Sequence, residues 1–306
     1  MTSEGAETGS PLVTVVAEDA DRGNYGTLTY SIMNDKIRES FAIDADTGII
    51  SLKKELDRET EAKHNFTVAV VDNGGKMGFA TVIVRVRDEN DNPPQFHMAE
   101  YKANVPSDAS DKVTIIRIQA SDLDEGENGK IVYTLHPGNN ADISRLFHLN
   151  GYTGKITPKK SLVEAENQVF QFFVRATDSG EKSLESHVPV EILVMNPRDK
   201  PPQFLQSQGL FFVDEDKKLG SLITTVTANS SVPVSYKIVA GFTPSTNRPA
   251  SFSIDDKGRL RLVRRLTWTK NFNKFTLQVR AESQTSPPLI DHKEIEIKVS
   301  RVHCQS

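Results

Sequence analysis

The sequence has almost no cysteine or tryptophan, which excludes two common ways of holding a small β-domain together. Cys304 is its single cysteine and Trp268 its single tryptophan among 306 residues. One cysteine cannot form an internal disulfide, and an immunoglobulin domain would require a Cys…Trp…Cys frame. We therefore expect no disulfide framework, and we interpret Cys304 as an incidental free thiol rather than a nucleophile.

Long apolar runs and an excess of one charge are also missing. No window approaches the ~20 apolar residues that a membrane helix needs, and residues 1–10 are too polar and acidic for a signal peptide. The 37 basic and 41 acidic residues leave a net charge of −4, so no general basic field attracts nucleic acid. We expect no nucleic-acid partner, and we expect any membrane anchor of the parent protein outside this segment.

Catalytic motifs are absent from the sequence as well. The seven histidines form no H-E-x-x-H spacing, and there is no Walker loop, G-x-S-x-G or C-x-x-C. A sandwich-built enzyme or carbohydrate-binding module would need convergent polar groups in a concave site, and the sequence offers no such constellation. The chain is therefore predicted not to be an enzyme.

The sequence does contain one motif three times, at a period of about 105 residues. The motif and its glycine occur at residues 41–50 (Gly48), 147–156 (Gly154) and 252–260 (Gly258). Each copy places two alternating apolar runs around a polar turn, which is typical of a β-hairpin. Asp44 and Asp46 in the first copy are interpreted as turn-forming acids rather than metal ligands.

The strand pattern predicts an all-β protein. Each period holds about seven short strands separated by turn signals, and no segment shows a long helical period, which is typical of Greek-key β-sandwiches. The sequence thus predicts three tandem seven-stranded Greek-key β-sandwich repeats. We refer to residues 1–92, 93–200 and 201–306 as the first, second and third repeat.

An acidic run separates the first two repeats. Residues 88–92 read Asp-Glu-Asn-Asp-Asn, and Pro93 and Pro94 then prevent an inner strand or helix from continuing. Ca²⁺ takes about 6–8 oxygen ligands from carboxylates, amides and backbone carbonyls. From these residues alone the run is either a cation site or a solvated acidic linker.

The run resembles the linker D-x-N-D-N-x-P between repeats of the cadherin superfamily, and the resemblance extends over almost the whole chain. Residues 56–59 resemble the family's L-D-R-E, residues 122–129 match D-x-D-x-G-x-N-G, and residues 176–178 match A-x-D. Glu4 matches the first-strand glutamate, although the valine that opens that pattern is missing. The chain is similar to three extracellular cadherin repeats of a long, non-classical cadherin.

The resemblance implies a junction that holds about three Ca²⁺ ions. Most of the implied ligands offer carboxylates, Asn90 offers its side-chain oxygen, and Glu89, Asn92 and Asn128 offer backbone carbonyls. The implied ligands are Glu4, Asp57, Glu59, Asp88, Glu89, Asn90, Asp91, Asn92, Asp122, Asp124, Asn128 and Asp178. Like charges 4 Å apart repel by ~1 kcal/mol even in water, so we expect a loose linker without calcium and a stiff one with it.

An EF-hand is the competing interpretation of a calcium site, and the sequence does not fit its pattern. A 12-residue loop that begins at Asp122 would place Tyr133 where the bidentate glutamate belongs and Glu127 where glycine is needed. Upstream, the resemblance implies half of another site from Asp19, Asp21 and Asp72, with Tyr25 at its asparagine position.

The second junction departs from the family pattern. Residues 196–200 read Asn-Pro-Arg-Asp-Lys, and serines replace acids at Ser107, Ser230 and Ser283. Hard cations need negative charge and oxygen, so we expect this junction to bind no calcium. We also expect it to be bent, with Leu205, Leu210 and Phe211 buried against the second repeat.

The resemblance implies a calcium-stiffened spacer or adhesion segment outside the cell, whose partner is another cadherin, homophilic or heterophilic. The second junction also resembles that of a tip-link cadherin of the inner ear, which would imply mechanotransduction and hearing. Sequons at Asn65 and Asn229 are weak support for an extracellular glycoprotein. The alternative is a directly adhesive or dimerising module, although the first repeat lacks the N-terminal tryptophan that classical strand exchange uses.

Overall fold

The computed structural model describes residues 1–19, 27–138, 140–205, 209–269 and 273–301. Cys304, Asp21 and Tyr25 lie outside these ranges. The α-helices of the described residues are α1 (Arg58–Glu61) and α2 (Ala141–Leu146), and neither is long enough to span a membrane. Almost all remaining regular structure is strand, as the alternating sequence predicts.

The strands fall into three groups that follow one another along the chain. The first group is β1 (Thr2–Ser3), β2 (Pro11–Thr14), β3 (Leu28–Ile32), β4 (Phe41–Ile43), β5 (Ile49–Leu52), β6 (Lys63–Asp72) and β7 (Met77–Arg87). The second group is β8 (Gln95–Phe96), β9 (Tyr101–Pro106), β10 (Ile116–Arg117), β11 (Ala120–Ser121), β12 (Val132–His136), β13 (Phe147–Leu149), β14 (Lys155–Pro158), β15 (Val169–Thr177) and β16 (Glu185–Met195). The third group is β17 (Gln203–Phe204), β18 (Leu210–Asp214), β19 (Leu222–Thr225), β20 (Ala228–Asn229), β21 (Val234–Val239), β22 (Phe252–Ile254), β23 (Arg259–Leu262), β24 (Lys274–Ser283) and β25 (Ile290–Ser300).

The three groups share one topology. The four-stranded sheets have the orders β1-β7-β6-β3, β9-β16-β15-β12 and β18-β25-β24-β21, and their first pair is parallel in every case. The three-stranded sheets have the orders β2-β5-β4, β10-β14-β13 and β19-β23-β22. Each group encloses its own apolar core. The all-β class and the tandem sandwich repeats are therefore confirmed.

The predicted hairpin turn is formed in all three repeats, and its glycine is required by two features. Gly48, Gly154 and Gly258 have φ values of 69°, 66° and 74°. A Cβ at these positions would lie 2.3, 2.0 and 1.9 Å from the backbone carbonyl oxygens of Val15, Ile118 and Val226, which directly follow β2, β10 and β19. Asp44 accepts hydrogen bonds from Thr47, which lower its pKa, as expected for a turn-forming acid.

The described residues belong to two compact units. The first unit is Met1–Asn92 with Leu123–Asn128, and the second is Pro93–Asp122 with Gly129–Ser306. A short loop of the second repeat therefore belongs to the same unit as the whole first repeat. The acidic linker residues 88–92 lie in this first unit.

Candidate metal centre

Helix α1 positions the first acidic residues of the site. Asp57 is its N-cap, and the Asp57 carboxylate accepts hydrogen bonds from the Thr60 backbone N–H at 3.1 Å and the Thr60 hydroxyl at 2.6 Å. These bonds lower the pKa of Asp57, because they stabilise the ionised carboxylate. The cap fixes the start of the helix, so Glu59 in its first turn is held in place.

Glu4 is a buried carboxylate that connects three segments of the first unit. Its side chain is 5% exposed, and its two oxygens accept hydrogen bonds from the backbone N–H groups of Arg58 at 2.8 Å and Glu89 at 2.6 Å. The N-terminal strand is thereby tied both to α1 and to the acidic linker. Glu4 occupies the interior of the site although it lies only three residues from Met1.

Two carboxylate clusters lie at the centre of the unit, and they share Glu59. One oxygen from each of Glu4, Glu59 and Asp91 lies within 4.8 Å of the others, and the same holds for Glu59, Asp88 and Asp124. The oxygen atoms come from the turn that follows β1, from α1, from the linker and from the loop of the second repeat. An all-carboxylate oxygen set of this kind fits a hard cation such as Ca²⁺.

The pKa values of this cluster show its electrostatic strain. Burial raises the pKa of Asp91, and the charges of Glu4 and Asp124 raise it further. Burial also raises the pKa of Glu59, again with a contribution from Glu4. Like charges that are partly removed from water resist ionisation, so the cluster would be stabilised by a cation.

Arg58 is the protein's own cation at this site. Its Nε lies 2.5 Å from Asp88 Oδ1, an ion-pair contact without hydrogen-bond geometry. Its Nη2 contacts the Glu59 carboxylate and donates to the Leu123 carbonyl at 2.7 Å. Burial lowers the pKa of Arg58, but the charges of Asp88 and Glu59 outweigh it and raise that pKa. One guanidinium thus neutralises part of a cluster of five carboxylates.

Hydrogen bonds also connect the acidic linker with the loop at residues 123–128. Asp88 accepts from the Glu125 backbone N–H at 3.0 Å and from Asn128 Nδ2 at 2.8 Å. The Asn92 backbone N–H donates to Asp124 at 3.2 Å, and Asn92 Nδ2 donates to Asp124 at 2.9 Å. The linker and the loop are therefore already ordered against each other by amide donors.

The remaining predicted ligands are divided between the two units. Glu89 is exposed and accepts from the Ser3 hydroxyl, and Asn90 is half-buried. Asp122 and Asp178 belong to the second unit. Asp178 is 4% exposed and accepts from the backbone N–H groups of Gly180 at 3.0 Å and Leu184 at 2.8 Å.

Ser283 takes the place of Asp178 in the third repeat, as the comparison of the three repeats predicts. Its hydroxyl accepts from the Leu289 N–H at 2.8 Å, as the Asp178 carboxylate accepts from Leu184. The first repeat has Asp72 here, which accepts from the Lys76 N–H at 2.8 Å. The third repeat thus keeps the turn but loses the negative charge.

The second junction has a different set of contacts. Ser107 stands at the Glu4 position, and its hydroxyl donates to Glu166 at 2.7 Å. Asn196 Nδ2 donates to the other Glu166 oxygen at 2.7 Å. Sequence reasoning missed Glu166, because it lies one residue beyond residues 162–165, which align with the family's L-D-R-E. Arg198 and Lys200 are exposed next to this contact.

Direct contacts between the second and third repeats lie within the second unit. Arg280 is fully buried, and its side chain pairs with Glu100 at 2.5 Å and Glu282 at 2.7 Å. Asn104 Oδ1 accepts from the Ile290 N–H at 2.8 Å. The Ala99 N–H donates to the Ala240 carbonyl at 2.9 Å.

These contacts correct the expectation that three apolar residues fasten the junction. Leu205 is 66% exposed. Leu210 and Phe211 belong to β18, which pairs with β25, and Phe211 packs against the core of the third repeat itself. The prediction failed because an apolar residue near a linker has a nearer core to join, whereas the contact between repeats uses charged and backbone groups.

Sequence comparisons agree with the repeats seen in the structure. The profile of the family described as "Cadherin domain" matches residues 2–87 and 101–195. The chain is 37% identical over 298 residues to human Protocadherin Fat 1, covering 95% of this chain and 6% of that protein. It is 32% identical over 312 residues to rat Protocadherin-16, covering 99% of this chain and 9% of that protein. The chain therefore spans less than a tenth of these relatives.

A solved structure supports the same fold. The chain is similar to mouse Cadherin-23 EC22-24 with a TM-score of 0.54 and 28% sequence identity, and the match covers 98% of this chain and 96% of that one. The match extends across all three groups of strands.

Proposed function

The chain belongs to the cadherin family, and we propose that it is an extracellular adhesion segment or spacer whose first junction is stiffened by Ca²⁺. Cadherin domains are adhesion modules rather than enzymes, and the family's relatives are membrane proteins with extracellular repeats. The repeat boundaries at residues 1–92, 93–200 and 201–306 are part of this proposal.

The position of Glu59 between two carboxylate trios carries the proposal. Each trio has three oxygens within 4.8 Å, and burial raises the pKa values of both Glu59 and Asp91. Neighbouring like charges at such distances destabilise a fold unless a cation lies among them. A divalent ion supplies more charge than the single guanidinium of Arg58 and binds oxygens from several segments at once.

The ions would act by connecting segments that are otherwise joined by a few hydrogen bonds. The turn after β1, the helix, the linker and the loop of the second repeat would supply the carboxylates of Glu4, Glu59, Asp88, Asp91 and Asp124. Asp57 would add its exposed carboxylate. Asp122 and Asp178 remain ligands that the family resemblance predicts.

We propose that the second junction works without calcium. Glu166 contacts Ser107 at the Glu4-like position, and hydrogen bonds from Ser107 and Asn196 already engage both its oxygens. Arg198 and Lys200 add positive charge. The contacts of Arg280, Asn104 and Ala99 would hold this junction at an angle, and we propose that it opens under force as a compliant element.

Partners and mechanical role follow from the family. Cadherin domains mediate homophilic or heterophilic cadherin interactions, and we propose another cadherin as the partner of this segment. The resemblance of the second junction to a tip-link cadherin supports a force-bearing role in mechanotransduction, whereas the relatives described above are Protocadherin Fat 1 and Protocadherin-16. A directly adhesive or dimerising module remains the alternative.

Single-molecule stretching of the chain tests both junctions. We expect extension at low force from the second junction with or without calcium, and stiffness of the first junction only with calcium. Loss of all low-force extension on adding calcium would contradict the proposed second junction. A first junction that is equally stiff in calcium and in a chelator would contradict the calcium proposal.

A further inference from the structure

One outward face of the first repeat is apolar and exposed. Along β7 the residues alternate, so Val84 and Val86 are buried, whereas Ile83, Phe79 and Met77 are 52%, 62% and 53% exposed. These three residues and the intervening Thr81 point away from the core, because successive side chains of a strand lie on opposite faces. We call the exposed set Met77, Phe79 and Ile83 the β7 stripe.

The face carries no charge between its two ends. On β6 the residues that pair with the outward residues of β7 are Asn65, Thr67, Ala69 and Val71. Among these outward pairs of β6 and β7, charged side chains occur only on the N-terminal side of Asn65, where Lys63 pairs with Arg85. Among the described residues β7 pairs on its other side only through Val86 and Arg87, with β1. Exposed apolar patches of this kind commonly mark surfaces that something else covers, and the described side chains leave Met77, Phe79 and Ile83 more than half exposed.

A sequon lies on this same face. Asn65-Phe66-Thr67 places its acceptor asparagine opposite Ile83 and its threonine opposite Thr81. Asn65 is exposed, while the middle residue Phe66 is 4% exposed and belongs to the core. Because side chains alternate along the strand, Asn65 and Thr67 point outward, while Phe66 between them packs into the core.

We propose that Asn65 carries an N-linked glycan that lies along the β7 stripe and covers it. In the transfer, Asn65 Nδ2 bonds to the anomeric carbon of the first N-acetylglucosamine of a lipid-linked diphospho-oligosaccharide. The bond from that carbon to the diphosphate oxygen breaks, the lipid diphosphate leaves, and the amide gives up one proton. This inference rests on the extracellular placement of the chain and not on calcium binding.

The geometry suits a cover of this kind. Asn65 pairs with Ile83, and the Ala69–Phe79 pair lies four residues further along the strands, which is about 13 Å at ~3.3 Å per residue. The first sugars of a glycan on Asn65 therefore lie beside Ile83 and extend towards Phe79. The C–H faces of sugar rings pack on aromatic and aliphatic side chains, while their hydroxyls stay in water, so the glycan hides the stripe without dehydrating polar groups.

Site-specific mass spectrometry tests the modification. The 306-residue chain is secreted from mammalian cells, and the peptide with Asn65 is analysed before and after glycosidase treatment. We expect a glycan on this peptide in the unchanged chain and in Thr81→Ala, and none in Thr67→Ala, which removes the sequon and keeps the asparagine. An unmodified Asn65 peptide in the secreted, folded chain would overturn the proposal.

A second measurement tests the covering role. In an Asn229→Gln background, which leaves Asn65 as the remaining sequon, the glycan is removed enzymatically from the folded protein in saturating calcium. We expect several-fold higher binding of a hydrophobic dye, and we expect Phe79→Ser to abolish most of that increase. Dye binding that does not change when the glycan is removed would refute the cover even if Asn65 is glycosylated.

Discussion

Replacement of Glu59 by glutamine should change the stability of the first unit in opposite directions with and without calcium. Glu59 is the acid shared by both carboxylate trios, and its side chain is 14% exposed. Glutamine keeps the shape of the side chain but removes its charge. The change therefore removes repulsion in the calcium-free protein and a metal ligand in the calcium-bound one.

The expected magnitudes follow from the distances. Two unit charges at the 4.8 Å limit of the trios repel by about 0.9 kcal/mol in water, and by more when partly buried. Glu59 faces four other acids and one partner cation, Arg58, so in a chelator Glu59→Gln should raise the free energy of unfolding by roughly 2 kcal/mol. In calcium, a 100-fold loss of affinity removes about 2.7 kcal/mol of calcium-dependent stability. Set against the gain of roughly 2 kcal/mol from removed repulsion, the net free energy of unfolding should fall by roughly 0.7 kcal/mol.

Hydrogen exchange of the β6 and β7 amides measures this effect, because it reports the stability of the first unit separately from the second. Spectra are compared in calcium and in a chelator at equal ionic strength. Asp46→Asn, which changes an exposed acid in a hairpin turn, is the matched control and should alter exchange in neither buffer. A Glu59→Gln effect of the same sign in both buffers would refute the reasoning.

Three further results are expected. Glu4→Gln should lower the calcium affinity measured by calorimetry at least tenfold. Glu7 is an exposed acid in the same terminal segment, and Glu7→Gln should leave the affinity unchanged. Equal titrations of the two variants would show that Glu4 is not a ligand. Arg280→Met should destabilise the second unit by about 1.5–3 kcal/mol regardless of calcium, since it removes charge-assisted contacts of a buried guanidinium with the half-buried Glu100 and Glu282, while exposed Arg265→Met should be neutral in the same melts. Burial, with the charge of Arg280, lowers the pKa of His292 from 6.5 to about 4. The neutral imidazole therefore stabilises the fold fully above pH 6.5, and about 3 kcal/mol of the free energy of unfolding is lost as the pH falls towards 4. A His292→Gln variant whose stability has the same acid dependence would contradict this.

The sequence predicted the fold well because its signals are local. A hairpin turn that brings Gly48, Gly154 and Gly258 against a neighbouring backbone leaves no room for a side chain, so the glycine and its period are visible in the chain. The replacement of Asp178 by Ser283 was also visible, because both side chains cap the same turn. Turns of this kind can therefore be predicted from residue spacing alone.

The contacts that the sequence did not reveal depend on distant segments. Glu166 bonds Ser107 and Asn196, and neither partner is near it in the chain. Arg280 lies on the polar face of β24 between Gln278 and Glu282, and nothing local indicates that it is buried or that it pairs with Glu100. Arg58 is part of the recognised L-D-R-E motif, but its role as a counter-cation among five acids emerges only from the folded arrangement.

Calcium titration by isothermal calorimetry is the most direct test of the account, since its central claim is that calcium binds at the first junction and not at the second. The unchanged chain should bind about three ions, the weakest at ~10⁻⁴–10⁻³ M. Asp91→Ala should remove most of this binding, and Glu166→Gln at the second junction should leave it intact. Undiminished binding in Asp91→Ala, or a loss of ions in Glu166→Gln, would contradict the account.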